Sequence, residues 1–235
     1  MSAEDAPKRV RADAERSTAR ILEAAQSVLA GDPNASLERI ADAAGLARAT
    51  VHRRFSSRKA LHDALVADIG ERYRQAVLQA RVATAPPLVA LHRLAQVVFE
   101  LKVSHRFAVE LASDEECGPV LSGEVREGIE LLFRRLREVG AITAEDPLWC
   151  RQLMMAVLHA VHVMPPDSPA LGCAGAGTGV GQAGVGQAGA GVDGAGVDGA
   201  GVDGAGLEGE ALSGARADLL VETLTRALGG GATAG

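Results

Sequence analysis

Apolar residues recur every three to four positions along most of this chain, in blocks separated by Gly and Pro. Ile21, Leu22, Ala25, Val28 and Leu29 form the first block. That spacing marks one face of a helix and predicts one from about Asp13 to Ala30, broken by Gly31-Asp32-Pro33-Asn34. Leu37, Ile40, Ala41 and Ala44 predict a second, short helix with Ser36 as its N-cap. Gly45 interrupts. Val51 and Phe55, four apart, mark the buried side of a third helix from about Ala47 to Arg54. Ser56-Ser57 caps a fourth, from about Arg58 to Arg81.

Pro86-Pro87 opens a further helix near 87–103, and shorter helical patterns follow at about 105–113 and 119–139, the latter closed by Gly140. Pro147 starts another, near 147–163, ended by Pro165-Pro166, and Leu212, Leu219, Leu220, Leu224 and Leu228 mark a last one over 208–228. No segment alternates convincingly with period two, so the chain reads as all-α. Residues 172–206 differ: GVGQAGVGQAG passes into repeats of AGVDG. Gly at that density cannot build a core and is costly to order, which predicts a flexible linker. Residues 1–12 are polar and charged and read as a disordered arm.

Composition narrows the class. Of 235 residues, 47% are hydrophobic and only 3% aromatic, the makeup of a folded helical chain. Cys117, Cys150 and Cys173 are odd in number with no close pairing, which points to a reducing compartment. The N-terminus lacks the apolar stretch of a signal peptide, and no run of about 18 uncharged apolar residues is present to span a membrane. A cytoplasmic location is expected.

Charge singles out one stretch. The chain carries a net charge of −6, yet residues 45–60 hold Arg48, Arg53, Arg54, Arg58 and Lys59 and no acid. Residues 1–60 sum to +3 and residues 61–235 to −9, so a basic end sits on an acidic body and is the part suited to a polyanion. A helix, a turn at Gly45 and a short basic helix form the arrangement of a helix-turn-helix. Ala41, Ala43 and Ala44 allow close crossing, while Arg48, Ala49, Thr50 and Arg53 face outward.

These residues carry a specific resemblance. RILEAA (20–25), LERIADAAGLARATVHRRF (37–55) and SSRKAL (56–61) are similar to the DNA-binding domain of the TetR family of transcriptional regulators. The likeness covers residues 13–75, with the helix-turn-helix motif at about 36–55. It implies a three-helix DNA-binding domain followed, over 76–235, by a helical ligand-binding and dimerisation domain. It implies DNA contacts from Ser36, Arg39, Arg48, Ala49, Thr50, His52, Arg53, Arg58 and Lys59. Arg48 and Arg53 are open to reading bases or clamping phosphates. Arg58 and Lys59 stand at a helix N-terminus, where a phosphate is favoured. His52 departs from the family's usual Tyr, and Glu38 from a polar or basic residue.

The resemblance further implies a homodimeric repressor that binds an operator and is released by an apolar or amphipathic small molecule. Phe99, Val103, Phe107, Phe133 and Met155 are pocket candidates that read equally as core. The helices at 147–163 and 208–228 resemble the family's dimer-forming pair, which nominates Trp149, Met154, Leu158, Val161, Leu220 and Leu224. His159 and His162, three apart, suggest a metal-responsive alternative, but no acid cluster joins them, so neither a metal site nor a cofactor is expected. No nucleophile elbow or P-loop is present, so an enzyme is not expected. The remaining alternative is a dimeric sensor without specific DNA binding.

Overall fold

The computed structural model describes residues 5–114, 118–119, 121–173 and 203–229. Ten helices form among them: α1 Asp5–Gly31, α2 Leu37–Ala44, α3 Arg48–Arg54, α4 Arg58–Ala80, α5 Pro87–Ser104, α6 Arg106–Leu111, α7 Gly123–Glu138, α8 Pro147–His162, α9 Pro169–Cys173 and α10 Asp203–Ala227. Between α6 and α7, β1 Ser113–Asp114 pairs antiparallel with β2 Gly118–Pro119. Two-residue strands are too short to leave a period-two trace, so patterning cannot find this pair.

The helix boundaries follow the periodicity to within a few residues, with differences at the start, at α9, which the pattern does not predict, and at α10, which begins at Asp203 inside the expected linker. α1 begins at Asp5, so residues 5–12 are helix instead of the expected disordered arm. Ala6 and the charged residues around it carry no Gly, and Pro7 lies in the first turn, where its missing N–H is not needed. The repeat lies mostly outside the described residues, and its described edges belong to α9 and the first turn of α10.

The described chain divides into two compact units. The first comprises residues up to 78 together with 101–127, and the second 79–100 together with 128 onward. Packing thus adds 101–127 to the N-terminal unit, a segment that a boundary at residue 75 leaves in the other domain. In the first unit, Ile21, Ala25 and Leu29 of α1 are buried with Ile40 and Ala41 of α2, Val51 of α3, and Leu61, Leu65 and Ile69 of α4. Gln26 is buried as well, and its side-chain oxygen accepts from the Ala108 N–H at 3.3 Å, tying α6 to α1. His62 and Phe107 meet edge to face with ring centroids 5.6 Å apart.

In the second unit Leu91 and Phe99 of α5, Ile129, Leu132, Phe133 and Leu136 of α7, and matching stripes of α8 and α10 are buried. Arg151 of α8 pairs with Glu130 of α7 at 3.0 Å. The Leu228 carbonyl just beyond α10 accepts from the backbone of Thr143 and Ala144 at 2.9 and 3.1 Å. Arg216 is buried and donates to the Met164 carbonyl, two residues past the end of α8, where a cation complements the helix dipole.

The α8–α10 packing corrects one expectation. Met154, Leu158, Val161, Leu220 and Leu224 are buried within the single chain. The stripes nominated for a dimer interface face each other inside the subunit, so these five are core. Leu220→Ala should therefore lower unfolding stability by about 2–5 kcal/mol. Urea unfolding of the purified protein checks this; a near-neutral result would return Leu220 to the surface.

Candidate DNA interface

The helix-turn-helix is built around a left-handed residue. Gly45 closes α2 with φ 62° and ψ 37°, and its N–H reaches back to the Ala41 and Asp42 carbonyls. Only glycine takes that conformation without strain. Arg20 of α1 donates to the Ala44 carbonyl at 2.7 Å and approaches that of Gly45 at 3.5 Å. A Cβ at residue 45 would stand 3.1 Å from the Arg20 guanidinium. Ser36 caps α2 by accepting from the Arg39 N–H at 3.3 Å, and Ser57 accepts from the Ala60 N–H at 3.1 Å at the start of α4.

α3 buries Val51, with Phe55 just past its end, and exposes Arg48, Ala49, His52, Arg53 and Arg54; Thr50 is half-buried. The cations nearby fall into three groups. Arg39, Arg48 and Lys59 make exposed ion pairs, with Asp32 at 2.7 Å, Asp42 at 3.7 Å and Asp63 at 2.7 Å. Such pairs are worth roughly 0–1 kcal/mol, so a phosphate can displace them. Arg53 and Arg54 have no acidic partner among the described residues. Arg58 is different: its guanidinium donates to the Ala35 carbonyl at 2.8 Å and to the Pro33 carbonyl.

That placement corrects the reading of Arg58. It stands near a helix N-terminus, but its donors hold the α1–α2 loop beside Ser36, so in this conformation it positions the motif instead of facing outward. His52, expected to reach a phosphate, has its Nε2 3.1 Å from Glu38 Oε1. Hydrogen bonds from the α2 backbone, Ser36 and His52 hold the Glu38 carboxyl down at about 2, so it is ionised throughout the physiological range. Sequence reasoning missed Arg20 and Arg54. Arg54 was legible as one more exposed cation of α3, whereas the target of Arg20 lies 24 residues away and left no local signal.

The pocket candidates are divided between the two units. Val103 and Phe107 belong to the first unit, and Phe99, Phe133 and Met155 to the second. Val103 is 58% exposed, while Phe99 and Phe133 are core. Phe133 borders a cleft lined by Arg134, Arg137, Glu138 and Glu145 together with Ala144, Pro147 and Cys150, a mixed charged and apolar setting. Burial raises the Cys150 thiol, with Asp146 adding to the effect. Among the described residues no three His, Cys, Asp or Glu side chains come together to hold a metal, and no helix is long and apolar enough to cross a membrane.

A capped short helix, a left-handed glycine turn and a second helix with cations on its open face define a helix-turn-helix DNA-binding protein. Comparison with known proteins gives the family. A model described as bacterial regulatory proteins, tetR family, matches residues 21–65. The HTH-type transcriptional repressor LfrR of Mycolicibacterium smegmatis is 31% identical over 154 residues, which span 65% of this chain and 81% of that protein. Among solved structures, the TetR family regulator PfmR from Thermus thermophilus is 21% identical with a TM-score of 0.50, over 64% of this chain and 88% of its own. LfrR in complex with proflavine is 28% identical with a TM-score of 0.47, over 64% and 88%. The chain belongs to the TetR family and is a DNA-binding regulator of transcription, not an enzyme.

Arg53→Ala should remove one phosphate-type contact per subunit, lowering the slope of log affinity against log salt by about 1 for each. Arg58→Met should instead lower the melting temperature and leave that slope alone. Binding titrations at several salt concentrations, beside thermal melts, check both. A slope lowered by Arg58→Met would restore it as a DNA contact.

Proposed function

We propose that this protein is a homodimeric repressor, acting in the cytoplasm, that leaves its operator when a small apolar or amphipathic molecule binds the helices after α4. Arg53 and Arg54, exposed on α3 and without an acidic partner among the described residues, support the DNA-facing part of this reading most directly. Around them, Ser36, Arg39, Arg48, Ala49, Thr50, His52 and Lys59 form the remaining proposed contact surface, with Arg20 and Arg58 holding it in shape. The relative LfrR is named a repressor, which supports the sign of regulation.

The dimer reading rests on α8. Opposite its buried stripe, Leu148, Trp149 and Val163 are 48%, 53% and 62% exposed, and Gln152, His159 and Ala160 between them are exposed too. None of these carries a fixed charge. Of the residues nominated for an interface, Trp149 alone lies on this face. Large apolar side chains exposed on an uncharged face of a folded subunit support an association site. In a two-fold dimer the same face of each copy meets the other.

Two experiments test the proposal. Duplexes selected from a random pool by the purified protein should share a two-fold motif with half-sites about one DNA turn apart. Proflavine, the compound bound in the LfrR structure, is the first effector to titrate against the selected duplex. Enrichment of no motif would remove sequence-specific repression. In sedimentation velocity, Trp149→Glu should run as a monomer where the wild-type protein runs as a dimer. A monomeric wild type would overturn the homodimer.

A further inference from the structure

The two positions at which this helix-turn-helix departs from the pattern it resembles touch each other. His52, in place of Tyr, lies on α3, and Glu38, in place of a polar or basic residue, lies on α2. Their side chains meet at 3.1 Å across the turn, each about half exposed. The other charged groups around them are otherwise engaged or basic. On α2, Asp42 pairs with Arg48, and Arg39 pairs with Asp32 of the preceding loop. On α3 itself, Arg53 and Arg54 are open. From the neighbouring helices, Arg20 holds the turn carbonyls, Arg58 the loop carbonyls, and Lys59 pairs with Asp63. His62 of α4 packs on Phe107. Among the described residues, Glu38 is thus the acid of this surface whose only cationic partner is an imidazole.

We propose that Glu38 and His52 form one proton-holding unit of the DNA-contact surface, so that docking on a duplex takes up one proton per recognition helix. The inference rests on α3 being the DNA-facing helix. A neutral imidazole that donates Nε2–H to Glu38 keeps a bare lone pair on Nδ1. It offers phosphate no donor and leaves the charge of Glu38 uncancelled beside the polyanion. Protonation at Nδ1, by a proton drawn from solvent, converts that lone pair to a donor and neutralises the pair. A tyrosine at this position donates at every pH near neutrality, whereas a histidine whose Nε2–H is held by Glu38 has a second donor to offer only when charged. Glu38 is the positioning residue: it holds the ring through Nε2.

The probe is a fluorescein-labelled duplex of mixed sequence, titrated by anisotropy at constant ionic strength between about pH 6 and about pH 8. Wild-type affinity should tighten as pH falls, by at most about tenfold per pH unit for each recognition helix engaged. His52→Gln should flatten the profile. Glu38→Gln should bind more tightly than wild type at the high-pH end and depend less on pH. Calorimetry on the wild-type protein in two buffers of different ionisation enthalpy should count net proton uptake. That measurement needs no variant to fold, and zero uptake overturns the proposal. The same pH profile in His52→Gln as in wild type assigns the proton to another group and overturns it as well. If the wild-type profile is flat while Arg53→Ala still weakens binding, the proton unit falls and the DNA-facing reading of α3 stands. If Arg53→Ala is also silent, both fall.

Discussion

The N-terminal unit depends on a single backbone turn. α2 must end and α3 begin within a few residues, and the chain manages this by passing through the left-handed region at Gly45. Any side chain there would meet both the strain of a positive φ and the guanidinium of Arg20. Arg20 is therefore a consequence of the glycine as well as its support, because it packs 3.1 Å from where a Cβ would stand and donates to the turn carbonyls. With the turn fixed, Val51 and Phe55 can be buried, and the opposite face of α3 is displayed as a rigid strip.

Cations near that strip are sorted by what else they can reach. A guanidinium has five donors and cannot lose its proton, so each arginine must find acceptors in the fold or water outside it. Arg20 and Arg58 find loop and turn carbonyls and become part of the frame. Arg39 and Arg48 meet carboxylates on exposed ground, where water screens the attraction and leaves the pairing exchangeable. Arg53 and Arg54 meet neither. A negative body thus coexists with a basic reading strip because burial and internal acceptors, not sequence proximity, decide which charges remain available.

Much of this architecture was legible from spacing. Ile21, Ala25 and Leu29 at four-residue intervals, Ser36 before Leu37, and Gly45 between two short helices each state a local constraint that the fold obeys, and together they locate the helix-turn-helix. Where spacing misleads, the deciding contact is distant in sequence. Arg58 resembles an outward-facing cation until the carbonyls of Pro33 and Ala35, more than twenty residues earlier, are seen beneath it. The segment 101–127 joins the first unit through Gln26 and Ala108, 82 residues apart. Residues 5–12 mislead for another reason: their polarity suggests disorder, although a charged helix needs no apolar face.

α8 shows why periodicity alone cannot assign an apolar face. A surface helix packed on one side needs one apolar stripe and carries charge on the other. The sixteen residues of α8 contain a single Lys or Arg and no Asp or Glu, so apolar positions run around most of its circumference. Met154, Leu158 and Val161 satisfy one stripe against the subunit's own core; Leu148, Trp149 and Val163 lie on the other side and remain in water. Keeping Trp149 and Val163 outward while carrying so little charge is the reason α8 carries the proposed dimer contact.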